Sequence, residues 1–520
     1  MNNSNNIRQG KMNNKRLAIS LTANIIAFSV NMAISFCLTP YIVKHVGSEA
    51  YGFVSLANNF TSYATILTIA LNSMTGRFIT IEYENNRMNE VQQYFSSALF
   101  ANICMCGLLL IPSIVCVFFL ESILNVSPEI LNDVKVLFGF VFAGFFVTLI
   151  NATYSTSLFV TNRKDIEARR NIESYLIKAI ILILAYIVFK PAVYYVGVAT
   201  LVTALYSLFA NIYFTKKYLP NLDIKYGLIS KEKIAILITS GIWNSLTKLS
   251  NVLTDGLDLL ITNLFISSTM MGTLSIAKMI PSVVTTLVGT IAGVFVPNYT
   301  IAYAHEDKSE FVIKIRQSIV ISSVISNICL TALIALGMEF FALWVPEQDK
   351  YVLYTLSVLT IAGMSINGGM QCVYNIFAVV NKIKINSLVN LVSDLGIVGI
   401  VFICLKTTNL GVYAVAGVSS IVIICRSLLF SIPYAAHCSG IKMWFFYKQV
   451  IVNLLALVLS TGVVITCKNY FHVESWMQLV VVGAFSCITA LIINLMVITN
   501  KNEKASIIKI VKRRVFDEYH

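Results

Sequence analysis

The residues with the clearest chemical potential lie inside apolar stretches. Asn244, Lys248, Asn251, Asp255 and Asp258 recur at i, i+4, i+7, i+11 and i+14. That spacing places them on one helical face about 21 Å long at 1.5 Å per residue. The stripe cannot face lipid, because each ionised group would cost at least ~2.5 kcal/mol at the bilayer centre. It faces either protein, with Lys248 paired to an acid, or a water-filled cavity. Lys278 lies about two turns in from the outer end of the next apolar stretch and is followed by Pro281, which can bend a helix. It either snorkels outward or lines the cavity. Arg426 and Asp394 fall within two further stretches and either pair with each other or face the cavity. Lys178 reads as close to the cytoplasmic end of its stretch, where snorkelling suffices. Asn72, Asn151 and Asn211 read as contacts between helices.

Fixed cations at such depth would attract an anionic solute, and the aspartates could carry a coupling sodium ion or proton. Nothing in the sequence suggests covalent chemistry. The five histidines are scattered, and the closest cysteines, Cys104 and Cys106, lie on different helical faces. No zinc, disulfide or catalytic constellation follows. The expectation is a protein that is not an enzyme and has no metal or cofactor beyond coupling by Na+ or H+.

The chain that must position these groups has 520 residues, 57% hydrophobic and 12% charged, with a mean hydropathy of +0.77. Soluble domains carry about 25% charged residues, so an ordinary soluble enzyme is excluded. Cutting the chain where charges and turn residues cluster predicts fourteen spans. They cover 17–43, 50–75, 94–120, 134–159, 173–189, 192–214, 234–265, 271–299, 315–343, 351–379, 385–405, 410–434, 444–467 and 475–499. Alternate loops then hold 28 Lys and Arg on the side of both termini against six on the other, which makes both termini cytoplasmic. The net charge of +13 is thereby mostly topology, and no nucleic-acid partner is expected. The first apolar run is too long for a secretory signal and reads as a retained helix. The outer loops are short, which argues against a polymerase or ligase with an external catalytic platform. No phosphate-loop motif occurs, which argues against an ATP-driven engine. The tail at 501–520 interleaves Lys509, Lys512, Arg513 and Arg514 with apolar residues, a pattern of a helix lying on anionic lipid or of a solvated tail.

Sliding the chain by 220 residues aligns span one with span seven. Asn24 and Asn31 fall on Asn244 and Asn251, Gly52 on Gly272, and Asn58 on Lys278. The expected architecture is an all-α integral membrane protein of about 14 helices. It has a cytoplasmic tail at 1–16, a six-helix lobe at 17–220, a second six-helix lobe at 221–440 related as a parallel repeat, two helices at 441–500 and the basic tail at 501–520. The candidate cavity residues are Lys278, Lys248, Asn58, Asn24, Asn31, Asn244, Asn251 and Arg426. Asp255, Asp258 and Asp394 are the ion-coupling candidates.

Two segments resemble a known family. Pro40-Tyr41-Ile42-Val43 followed by Val46-Gly47-Ser48-Glu49-Ala50-Tyr51-Gly52, and Asp258-Leu259-Leu260-Ile261 followed by Gly272-Thr273-Leu274-Ser275-Ile276-Ala277-Lys278, look like bacterial polysaccharide repeat-unit flippases. These belong to the multidrug, oligosaccharidyl-lipid and polysaccharide exporter superfamily. The resemblance implies two lobes around a cavity that opens alternately to each side of the bacterial cytoplasmic membrane. It implies an undecaprenyl-diphosphate-linked oligosaccharide as cargo, for O-antigen, capsule or another surface glycan. Polymerase and glycosyltransferase partners go with that role. The cationic cavity of the family maps onto Lys278 and Lys248, whereas Leu259 stands where many relatives carry a basic residue. A cation-coupled multidrug antiporter of the same superfamily is the alternative.

Overall fold

Inside hydrocarbon a backbone must satisfy its own hydrogen bonds, and long Leu-, Ile- and Val-rich runs do so as helices. The computed structural model describes residues 29–500 except 162, 305–307, 381 and 472, together with residues 26 and 503. Asn24 and both charged tails lie outside the described residues. Twelve described helices are long and apolar enough to cross a membrane. They coincide with spans two to six and eight to fourteen of the sequence reading. Of the other two, the helix at 29–46 covers only the second part of span one. Span seven is broken by a π turn within its polar stripe.

The chain divides into two compact units, Met1–Gly272 and Thr273–His520. Span seven, which the repeat groups with the second lobe, therefore packs with the first unit. In that unit, α1 (29–46) turns at Gly47, whose φ of 95° suits a residue without a Cβ, into α2 (Ser48–Glu84). There follow α3 (Met88–Phe118), α4 (Leu131–Val160), α5 (Lys164–Val188) and α6 (Tyr194–Tyr218). Next are α7 (Lys231–Asn251), the π turn Val252–Gly256, and α8 (Asp258–Phe265). Leu71, Ile79, Phe95 and Leu237 form a fully buried core among α2, α3 and α7. Helices α2 and α7 cross at Gly241, where an added Cβ would lie 1.9 Å from the Ala70 carbonyl oxygen. Gly52 also lies against its repeat mate Gly272, an added Cβ on Gly52 falling 2.7 Å from the Gly272 Cα. At one end of the unit the loop after α3 is tied down twice. Asn125 and Asn263 exchange backbone and amide bonds at 2.8–2.9 Å, and the Glu49 carboxylate accepts from Ser127 N–H and Oγ.

The second unit is organised on one long helix. Its elements are α9 (Ser268–Ala277, which begins in the first unit), α10 (Met279–Val294), α11 (Val296–Ala304), α12 (Lys308–Trp344), α13 (Lys350–Ile361) and α14 (Met364–Tyr374). They are followed by α15 (Ile383–Thr407), α16 (Val412–Arg426), a π turn Ser427–Ser431, α17 (Ile432–Ser439), α18 (Met443–Lys468) and α19 (Trp476–Ile498). Helix α12 is the most enclosed, with 67% of its apolar window buried. Gly368 and Gly369 of α14 let that helix approach Ser326 and Ser323 of α12. The last two helices are held to α12 by a buried amide cluster. Asn327 Nδ2 donates to Asn453 Oδ1 at 2.9 Å and to Asn494 Oδ1 at 2.7 Å, a use of asparagine that suits a setting where water is absent.

The α2–α7 crossing yields a test. Gly241→Ala is expected to destabilise the protein by about 1–3 kcal/mol through overpacking, seen as a lower melting temperature of detergent-solubilised protein. Gly289→Ala, where an added Cβ meets nothing within 4 Å, is expected to leave it unchanged.

Candidate functional site

In the first unit, helices α1, α2 and α5, with Val196 of α6, line a half-open cavity of about 180 Å³. Helical spacing builds each wall: Asn31, Ser35, Leu38 and Ile42 from α1; Tyr51, Ser55 and Asn58 from α2; Tyr175, Lys178 and Leu182 from α5. Thr39 completes the polar lining; its hydroxyl donates to the Ser35 carbonyl at 2.7 Å and lies 3.2 Å from the Tyr51 hydroxyl. Asn58 commits its amide nitrogen to the Val54 carbonyl at 2.9 Å. The structure thus brings Asn31 and Asn58 to one cavity within the first unit and adds Lys178 to them.

The sequence places Lys178 near the cytoplasmic end of a span beginning at 173, but α5 begins at Lys164. Lys178 therefore lies fourteen residues from one end of the helix and ten from the other, about 21 Å and about 15 Å at 1.5 Å per residue. The first turns of α5 are themselves charged, with Arg169, Arg170 and Glu173 among them, so the apolar part of the helix begins about one turn before Lys178, within reach of a snorkelling lysine. The nearest carboxylate along the helix, Glu173, is engaged by Arg169 Nε at 3.0 Å and by the Tyr206 hydroxyl at 2.5 Å. Among the described residues Lys178 has no ion-pair partner.

The polar stripe of span seven does not stay on one face. In α7 Lys248 and Asn244 are half-buried and Asn251 is exposed; from Val252 the π turn inserts an extra residue into the helical phase, and there Asp255 is exposed while Asp258 is buried at 4% exposure. Asn244 Nδ2 donates to Ser73 Oγ at 2.9 Å. The turn also takes the Gly256 carbonyl out of the α-helical ladder, and two groups of α2 satisfy it: Asn59 Nδ2 at 2.9 Å and the Tyr63 hydroxyl at 2.6 Å. Lys248 has no side-chain ion pair among the described residues.

In the second unit Lys278 is half-buried and stands at the break between α9 and α10. Pro281 sits in the first turn of α10, where a missing N–H is tolerated. It leaves the Ala277 carbonyl without its i+4 donor, and Ser357 Oγ supplies a replacement at 2.6 Å. Arg426 and Asp394 adopt the pairing alternative: Arg426 donates to the Asp394 carboxylate at 2.7 Å, with side-chain exposures of 16% and 1%. Next to this pair, Asn367 Oδ1 accepts from Ser427 Oγ at 2.6 Å and from the Tyr374 hydroxyl at 2.9 Å. Among the described residues no group of three or more His, Cys, Asp or Glu could hold a metal ion.

Comparison with known proteins adds the family context. A family model described as polysaccharide biosynthesis protein matches residues 17–300. The uncharacterized membrane protein EpsK of Bacillus subtilis (strain 168) is 25% identical over 499 residues, covering 95% of this chain and 98% of its own. Among solved structures, the lipid II flippase MurJ in an inward closed conformation superposes with a TM-score of 0.69 at 12% identity, over 92% of this chain and 98% of that one. An inward-facing multidrug resistance MATE family transporter of the MOP superfamily gives a TM-score of 0.64 at 13% identity, over 81% and 98%. The fold is therefore that of these membrane transporters.

The Arg426–Asp394 pair can be tested by a double-mutant cycle. Asp394→Ala or Arg426→Met alone leaves a buried charge without its counter-charge and is expected to cost about 3–5 kcal/mol. The double variant is expected to recover most of that loss in melting experiments.

Proposed function

We propose, from the premise that this chain belongs to the polysaccharide biosynthesis protein family, that it is a flippase. In this reading it moves undecaprenyl-diphosphate-linked oligosaccharide from the cytoplasmic to the outer leaflet of the bacterial cytoplasmic membrane by alternating access. Both termini are cytoplasmic in this reading, following the loop charges. Glycosyltransferases supply the cargo and a polymerase consumes it. The observation that carries the proposal is the presence of two cations, Lys178 and Lys248, on helices of a transporter fold without a carboxylate partner among the described residues.

The physical argument is a barrier argument. A diphosphate and its sugars cannot cross ~30 Å of hydrocarbon unaided. A fixed lysine about 4 Å from a phosphate oxygen contributes about 4 kcal/mol at an effective dielectric of 20, which offsets part of the lost hydration. No bond is made or broken, so positioned charge, hydroxyl and amide groups suffice. Coupling to a proton or sodium gradient falls to Asp255 or Asp258; Asp394 is committed to Arg426.

The likeness to a multidrug transporter fold supports the second reading, a cation-coupled drug antiporter. The two readings separate in one experiment. In cells that make the cognate surface glycan, replacing Lys178 and Lys248 together by alanine is expected to lower glycan export at least tenfold while drug resistance is unchanged. Unaltered export with both lysines gone overturns the cationic-cavity mechanism, and drug resistance that rises with expression and depends on Asp255 and Asp258 overturns the flippase.

A further inference from the structure

In the second unit, the Trp344 end of α12, the start of α13 and the loop from α18 to α19 line a half-open groove of about 380 Å³. Its charged lining is Glu339, Lys350, Lys468 and Glu474, two anions and two cations. One pair is made: Lys468 Nζ donates to Glu339 Oε1 at 2.5 Å and to the Ala335 carbonyl at 2.9 Å. Glu339 Oε2 is buried and accepts no hydrogen bond among the described residues, although a carboxylate oxygen taken out of water calls for a donor. Lys350 is half-buried, lies with its Nζ 5.4 Å from the Tyr351 ring, and forms no ion pair among the described residues. The exposed Glu474 carboxylate has none either, and the Asn469 side chain in the same lining makes no hydrogen bond among the described residues.

A groove with both signs left open suits a guest that carries both. A lone anion meets two carboxylates and a lone cation two ammonium groups, whereas a zwitterion leaves the groove neutral. Lys350 and Asn469 offer donors to a phosphate, and Glu474 and Glu339 Oε2 accept from an ammonium. Glu339 Oε2 also selects the kind of ammonium: it needs an N–H, which a primary ammonium has and a trimethylammonium lacks. The surroundings select the source. Tyr470 and Phe471 of the loop and Trp476 and Met477 in the first turn of α19 are exposed, as aromatic anchors at the level of lipid headgroups are. Helix α19 continues with exposed Val480, Val481 and Ile488, an apolar surface for acyl chains. We infer that this groove holds the headgroup of a phospholipid that carries a phosphate and a primary ammonium, with its chains along α19. The occupant is a lipid of the bilayer and not the transported molecule, so the inference needs the membrane-spanning fold and does not rest on the flippase reading.

The test uses the full-length protein in detergent, stripped of lipid and titrated by native mass spectrometry with three phospholipids of identical chains: phosphatidylethanolamine, phosphatidylcholine and phosphatidylglycerol. Wild type is expected to bind phosphatidylethanolamine about fivefold more tightly than either of the others, on the order of one net hydrogen bond. The variant Lys350→Met/Glu474→Gln breaks no ion pair, so it is expected to melt with wild type and to bind all three lipids within about twofold of one another. Should the double variant not fold, Glu474→Gln alone, at an exposed position, keeps the test valid: it is expected to weaken phosphatidylethanolamine and leave phosphatidylglycerol unchanged. Equal binding of the three lipids by wild type, tighter binding of phosphatidylglycerol, or an undiminished preference in the folded variant overturns the site. Soluble phosphoethanolamine that binds as tightly as the lipid overturns the bilayer as its source.

Discussion

Hydrocarbon offers no partner to a charge or to a displaced carbonyl, and most of the polar detail in this chain answers to that constraint. Where Pro281 removes a donor, Ser357 caps the Ala277 carbonyl. Where the π turn displaces the Gly256 carbonyl, Asn59 and Tyr63 reach across from α2. Asp394 is buried only with Arg426 on it, and Asn327 ties three helices together through Asn453 and Asn494. Not every group is answered: Arg170 Nε and Nη1 are buried without a hydrogen-bond partner, and Lys178 and Lys248 have no ion-pair partner among the described residues.

The same constraint shapes the packing. Lipid supplies no hydrophobic force between helices, so close approach has to come from small residues. Gly241 admits the Ala70 carbonyl, Gly52 and Gly272 admit each other, and Gly368 and Gly369 admit Ser326 and Ser323. Breaks fall where they can be capped. The helix interruptions at Lys278 and at Val252–Gly256 therefore place charged residues at irregular backbone without orphaning it.

Much of the fold was legible in the residues because apolar length is a local property. Twelve spans recur close to where charge clusters cut the chain. The Arg426–Asp394 alternative was legible too, since two opposite charges in neighbouring spans have few other ways to be buried. The helical face of span seven was misjudged past Asn251 because a π turn is an i to i−5 hydrogen-bonding choice with no side-chain period of its own. The start of α5 was placed too late because charged residues at 164–173 look like loop, although they form its first turns.

By itself, then, the amino-acid sequence determined that the chain crosses a membrane many times, which residues are polar at depth, and that no catalytic apparatus is evident, because hydropathy and residue type do not depend on neighbours in space. Only the tertiary structure decided which of those polar residues meet. It put Asn31, Asn58 and Lys178 around one cavity, gave Asp394 to Arg426, packed span seven with the first unit and buried Asp258 while exposing Asp255. Those outcomes turn on helix phase and on which helices touch, and both are set by packing between segments far apart in the chain.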